Sequence, residues 1–188
     1  MLRTLFGMQQ VPRSLRHVVV IGLMGVGTSS VGRRLARHLG WAWRDSDREI
    51  KAATGLTVRQ LRDRDGVDAM HGREARQLLD ALADPAPSVI SAAASTIEVE
   101  ACRLAMTAPD VALVWLRASP RNLARRFASA DEHRPEFGSS PEAFLTEQAT
   151  RRNPLFASLH PIVVDVDAIS PGKAAARALE ALGSIKSP

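Results

Sequence analysis

Residues 21–32 read Ile-Gly-Leu-Met-Gly-Val-Gly-Thr-Ser-Ser-Val-Gly, or IGLMGVGTSSVG. An apolar run, Val18-Val19-Val20-Ile21, leads into this stretch, and the periodic segment VGRRLARHL leads out of it. A short continuous apolar run fits a parallel strand covered on both faces, and the periodic segment fits an amphipathic helix. A glycine-rich turn joining such a strand to such a helix is the setting of a phosphate-binding loop, G-x-x-x-x-G-K-[ST]. Gly22, Gly27 and Ser29 take their places in that pattern, but Thr28 stands at the lysine position. Two sources of anion affinity survive this change: the outward-pointing N–H groups of the helix start and the helix dipole. Ser29 can still offer a hydroxyl to magnesium. The cation that follows charge developing on the transferred phosphoryl group is gone. Losing one such donor typically costs ~3–4 kcal/mol, or about 10²–10³ in rate. The plain alternative is a glycine turn that holds no ligand.

Four further strand candidates follow: WAWR (41–44), SVISAA (88–93), VALVWLRA (111–118) and IVVDVD (162–167), with HVVVIG (17–22) as the first. Helical patterns separate them. Thr57 and Gln60 have capping-box spacing. Another helix covers Arg73 to Leu82, and EVEACRLAM also looks helical. Ser119-Pro120, Ser140-Pro141 and Ser170-Pro171 each read as an N-cap followed by proline at the first helical position. Alternating strands and helices predict βαβ units and a three-layer α/β domain with a five-stranded parallel sheet. We expect a basic extension over residues 1–16, one domain over 17–184 and a short tail over 185–188. The polar segment at about 128–142, ASADEHRPEFGSSPE, is long for a connection and reads as a lid.

Composition narrows the function classes. With 188 residues and 45% hydrophobic content, the chain can build a core, and no apolar run approaches the ~20 residues of a membrane span. The net charge of +5 brings nucleic acid into consideration. The charge is uneven, however: residues 1–44 carry seven arginines and no acid, while the rest carries 18 basic and 20 acidic residues. No lysine-rich tail or aromatic platform accompanies the arginines, which points away from nucleic acid. The first 17 residues lack a secretory apolar segment, so a frayed basic extension is simpler than a targeting peptide. The single cysteine, Cys102, reads as a buried hydrophobe and suits a reducing cytoplasm. Histidines 17, 38, 133 and 160 show no metal-ligand spacing.

Asp45-Ser46-Asp47 directly follows the second strand. Two carboxylates at a strand's C-terminal end sit where α/β proteins bind ligands. One could hold magnesium through water, and the other could take a proton from a hydroxyl. They could equally be the favourable acids of a helix start.

Taken together, GLMGVGTSSVG and DSDREIKAATGLTVRQL resemble shikimate kinase, a P-loop phosphotransferase of nucleoside-monophosphate-kinase-like fold. The likeness runs from about His17 to Leu182. The family's loop, G-x-M-G-x-G-K-[ST]-[ST]-x-G, is matched by Gly22, Met24, Gly25, Gly27, Ser29, Ser30 and Gly32. Asp47 lies 19 residues after Thr28, as the second acid of the family's D-x-D lies after its lysine. The resemblance implies ATP and Mg²⁺ as cofactors, with Gly22, Gly25, Gly27, Thr28, Ser29 and Ser30 around the phosphates. Ser29 and Asp45 would be on the metal side, and Asp47 would contact the acceptor hydroxyls as candidate base. Arg134, in HRPEF, matches the catalytic lid arginine. Arg126 matches an arginine that stacks on adenine. Arg152, in RRNPLF, matches an arginine that binds the substrate carboxylate.

The chain departs from the family at three motifs. Thr28 replaces lysine. His71 replaces the arginine of F-R-x-x-E, although Glu74 is kept; histidine lacks arginine's permanent charge and bidentate fork. Arg73, two positions on, points elsewhere on a helix. Ala92-Ala93-Ala94 replaces a glycine triplet that approaches the substrate, so any of these needing positive φ costs ~1–2 kcal/mol or rearranges. Three readings stay open. The chain is a weak or non-catalytic relative that binds a nucleotide or anion, in which case a protein partner is possible. Or it is an active ATP-dependent kinase that phosphorylates a hydroxyl of shikimate or of another small hydroxylated metabolite. Or it is a structural or interaction module with a filled pocket.

Overall fold

The computed structural model describes residues 11–12, 14–128 and 140–185. The elements run β1 (His17–Ile21), α1 (Thr28–Leu39), β2 (Ala42–Asp45), α2 (Ser46–Thr54), α3 (Val58–Asp65) and α4 (Val67–Ala83). They continue with β3 (Ser88–Ser91), a 3₁₀ turn (Ala94–Glu98), α5 (Glu100–Met106), β4 (Val111–Arg117), α6 (Pro120–Ala128), α7 (Pro141–Ser158), β5 (Ile162–Asp165) and α8 (Pro171–Gly183). The five strands form one parallel sheet in the order β2-β3-β1-β4-β5.

β1 occupies the centre because every one of its residues, HVVVI, is buried. It pairs with β3 along one edge and with β4 along the other. Helices α1 and α8 pack together over the sheet, and α4 pairs with α5. Cys102 on α5 is buried against this second pair, its Sγ 3.7 Å from the carbonyl oxygen of Ala75. β4 packs against α7 through Trp115 and Phe156, whose ring centroids lie 5.5 Å apart.

The local signals act as their chemistry requires. Thr57 and Gln60 form a reciprocal capping box at the start of α3. Ser140 and Ser170 cap α7 and α8, each with proline in the first turn. Several boundaries differ from the sequence reading, among them the end of β5 at Asp165, and two of them bear on the site. Helix α4 starts at Val67, six residues earlier than the apolar period suggests, because its first turn is largely exposed and starts straight from Gly66. Strand β3 ends at Ser91. Ala92 still donates its N–H to the Val20 carbonyl, and the chain then leads into the 3₁₀ turn, in which Thr96 donates both its N–H and its hydroxyl to the Ala93 carbonyl.

The glycine loop opens at the C-terminal end of β1, and its glycines are required for separate reasons. A Cβ on Gly22 would overlap the carbonyl oxygen of Leu116 on β4. Gly25 has φ 79° and lies against the Phe127 ring, so both conformation and space exclude a side chain there. A Cβ on Gly32 would overlap Ser91 Oγ. That hydroxyl accepts from Trp43 Nε1 at 3.0 Å and donates to the Thr28 carbonyl at 3.2 Å. β2, β3 and the start of α1 are thereby tied together.

Gly32→Ala is therefore expected to destabilise the protein by ~1–3 kcal/mol through overpacking. Adding Ser91→Ala should recover part of that loss, since it removes the clashing atom. Equilibrium denaturation of the two single variants and the double variant checks this. Strict additivity would show that Gly32 and Ser91 do not meet.

Candidate active site

In a parallel sheet all strands end on one edge, so the loops after β1, β2 and β3 share it. These carry the glycine loop, the Asp45–Asp47 pair and the alanine triplet. The Ser91–Thr28 bond joins the first and third directly.

The glycine loop is shaped as an anion cradle. Gly27 sits at the N-cap of α1 in left-handed conformation, φ 104°. No side chain caps this helix, and no acid occupies its first turn. Among the described residues, and its chain neighbours aside, no heavy atom lies within 4 Å of the position a Gly27 Cβ would take. The first turn of α1 has the uncapped N–H donors that phosphate binding uses. Thr28 is half-buried, Ser29 is exposed and Ser30 is half-buried. Ser29 presents its hydroxyl on the first turn of α1, and Asp45 ends β2 with its carboxylate accepting from the Arg48 N–H at 3.3 Å. Asp45 is therefore a buried helix cap as well as a candidate metal-side group. Among the described residues no cluster of three or more His, Cys, Asp or Glu could hold a metal by itself. Magnesium bound with phosphates needs only one or two protein ligands, so Ser29 and Asp45 fit that use.

A second group of side chains converges from four elements: Asp47 of α2, His71 and Glu74 of α4, Ser95 and Glu98 of the 3₁₀ turn, and Arg152 of α7. Asp47 reaches solvent, yet the protein packed around it pushes its carboxyl up, and the charge of Asp45 adds to the effect. Glu74 is buried and accepts a short hydrogen bond from the Ser95 hydroxyl. Burial raises its pKa to about 7, Ser95 and Arg152 oppose the rise, and Asp47 adds to it. His71 is half-buried, and desolvation together with the Arg152 charge holds its pKa below the ordinary 6.5. It is therefore neutral at pH 7 and carries no charge towards an anion. Arg152 is buried and donates from Nε and one terminal nitrogen to Glu98 Oε2, at 3.1 and 2.7 Å. Phe156, one turn on along α7, anchors that face of the helix beneath it.

Other residues singled out in the sequence take different positions. None of Ala92, Ala93 and Ala94 has positive φ; the only described non-glycine residue that does is His160. The triplet has therefore taken an ordinary backbone instead of holding a strained one. Ala92 is buried, and Ala93 and Ala94 are half-buried. Arg126 lies beside the glycine loop, with its guanidinium donating to the carbonyls of Val26, at 3.3 Å, and Val166, at 2.6 Å. It braces the loop against the segment after β5. Arg73 is exposed and faces Asp65, away from the cluster. Arg134 and most of the expected lid lie outside the described residues. Ser91, Ser95, Trp43 and Glu98 were not apparent from sequence: each acts through a partner at least 21 residues away.

The Glu74 environment has a measurable consequence. Its folded pKa is above the ordinary 4.5, so the folded state holds the proton more tightly than the unfolded chain. The stability this contributes is complete below pH ~4.5 and is lost as pH rises through ~7, to a total of about 3 kcal/mol. Glu74→Gln should remove that part of the slope. Urea denaturation at pH 5 and pH 8 should show a smaller loss in the variant, by ~2–3 kcal/mol. Equal losses in the two proteins would contradict the assignment.

Comparison with known proteins identifies the family and the fold. The family model "Shikimate kinase" matches residues 24–183. A shikimate kinase of Caulobacter vibrioides is 37% identical over 146 residues, covering 78% of this chain and 72% of the relative. One from Paramagnetospirillum magneticum is 33% identical over 168 residues, covering 89% and 84%. The solved shikimate kinase from Acinetobacter baumannii in complex with shikimate superposes with a TM-score of 0.77 at 25% identity, covering 89% of this chain and 91% of that one. The three-layer fold with its parallel sheet and glycine loop is thus that of a P-loop kinase, and this chain belongs to the shikimate kinase family.

Proposed function

We propose that this protein binds nucleotide phosphates in its glycine loop, with magnesium beside Ser29 and Asp45, and transfers phosphate to shikimate poorly or not at all. One observation carries the reading: the cradle is intact in its backbone, while its mobile cation is replaced by Thr28. Thr28 is neutral and too short to follow charge onto a leaving phosphate. ATP and magnesium supply the phosphoryl chemistry when bound; the chain's own part is to orient them. Asp47 is the candidate acceptor for a hydroxyl proton. Its raised pKa keeps it nearer to the range in which a carboxylate can exchange protons near neutrality. Arg134 is the remaining candidate for a cation brought by the lid.

The neutral His71 and the engaged Arg152 favour a second reading, an active kinase whose acceptor is a hydroxylated compound other than shikimate. A filled pocket serving only as an interaction module is less well supported, because no described residue beyond its chain neighbours crowds the Gly27 position.

Calorimetric titration with ATP·Mg²⁺ and with ADP is expected to show binding to the wild-type protein. Thr28→Lys should raise single-turnover phosphoryl transfer to shikimate by about 10²–10³, with a smaller change in nucleotide affinity. Absence of binding at millimolar nucleotide, or wild-type transfer as fast as that of Thr28→Lys, would overturn the reading.

A further inference from the structure

The arginine expected to receive a substrate carboxylate already holds one. Glu98 Oε2 accepts two hydrogen bonds from Arg152, while Glu98 Oε1 pairs with Arg151 Nε. Both carboxylate oxygens are therefore taken by consecutive arginines of α7. Exposed ion pairs of this kind often mean little, but here the Arg152 side chain is only 7% exposed, so its fork has one direction in which to look.

Glu98 is also held firmly. The 3₁₀ turn that carries it is fixed by the Ser95–Glu74 bond, by the Thr96 bonds to Ala93, and by Arg103, which donates to the Ile97 carbonyl at 2.8 Å. Ile97, next in the chain, is completely buried. On the other side, Arg152 is set by the packing of α7 on Trp115 through Phe156. The pair thus joins two anchored backbones. Burial alone would raise the Glu98 pKa, but the hydrogen bonds and charges of Arg152 and Arg151 hold it below the usual carboxylate value.

We propose that Glu98 is a resident counter-ion that fills the guanidinium fork of Arg152 and selects uncharged polyhydroxylated ligands over carboxylates in the acceptor site. This deepens the functional reading and rests on its placement of the acceptor beside Asp47, Glu74 and Arg152. An incoming carboxylate would have to displace Glu98 from Arg152. Among the described residues, Arg151 and Arg152 would then be balanced by Glu98 and Asp47, with His71 neutral, so these groups would offer it no surplus positive charge. A neutral ring with several hydroxyls meets no such obstacle and can use the same acceptors and donors.

A matched pair of ligands isolates the effect: shikimate and its methyl ester, which differ in charge but share the ring and its hydroxyls. Affinities for both are measured by calorimetry without nucleotide, so failure of the phosphate cradle cannot affect the result. In the wild-type protein the ester is expected to bind at least as tightly as the acid. In Glu98→Gln, the acid-to-ester preference should shift towards the acid by tenfold or more. The ratio is taken within each protein, so a general loss of stability cancels, and the wild-type ratio stands whether or not the variant folds. Tenfold tighter binding of the acid to wild type would overturn the proposal. So would an unchanged ratio in Glu98→Gln, or failure of the ester to bind wild type at millimolar concentration.

Discussion

The rest of the structure depends on the complete burial of β1. Its five residues are covered on both faces, and both of its edges are hydrogen-bonded, to β3 and to β4. Such a strand has one way out, over the C-terminal edge of the sheet, and Gly22 takes that turn where the Leu116 carbonyl leaves no room for a Cβ. The loop that follows is supported on several sides by groups other than its own side chains. The Phe127 ring lies under Gly25, Ser91 holds the Thr28 carbonyl, and Arg126 holds the Val26 carbonyl. Replacing lysine by threonine at position 28 touches none of these supports. Shape and charge in this loop are therefore separable, and the chain retains the first without the second.

The same separation holds in the neighbouring cluster, with charge balanced inside the protein. Arg152 and Arg151 share Glu98, and Glu74 holds its proton close to neutrality with Ser95 as donor. Asp47 is left with a raised pKa beside Asp45. Among the described residues of this cluster, the groups that meet hydroxyls are present, while those that would meet an anion are neutral or engaged. A buried ion pair with good geometry often contributes little net stability, but removing one partner is costly because the other charge is left unpaired. Arg152 and Glu98 therefore stand or fall together as a unit of the site.

Much of this was legible in the sequence, because the deciding signals were local. The apolar run of β1, the glycine spacing, the Thr57–Gln60 capping box and the serine–proline helix starts each depend on a few adjacent residues, and the structure uses them as read. Asp45 takes the helix-start role that its position allowed. The partners of the candidate site were not legible. Nothing near Glu98 in sequence announces a partner 54 residues away, and Ser91 reaches Trp43 across 48. The proton on Glu74 depends on burial contributed by several elements at once. Such properties arise only when the chain has closed on itself.

The alanine triplet links these observations. Glycines at 92 to 94 would leave the segment after β3 with wide conformational freedom and no preference for helical winding. Alanine removes that freedom, and its ordinary backbone here leads directly into the 3₁₀ turn that begins at Ala94. The turn sets the distance from β3 to Glu98, and so determines whether the carboxylate meets the Arg152 fork. The same alanines stiffen the segment that carries the resident counter-ion. On this view the alanines, Glu98 and the neutral His71 are not independent losses. Each lowers the capacity for an external carboxylate, and the first supplies the geometry that the second needs.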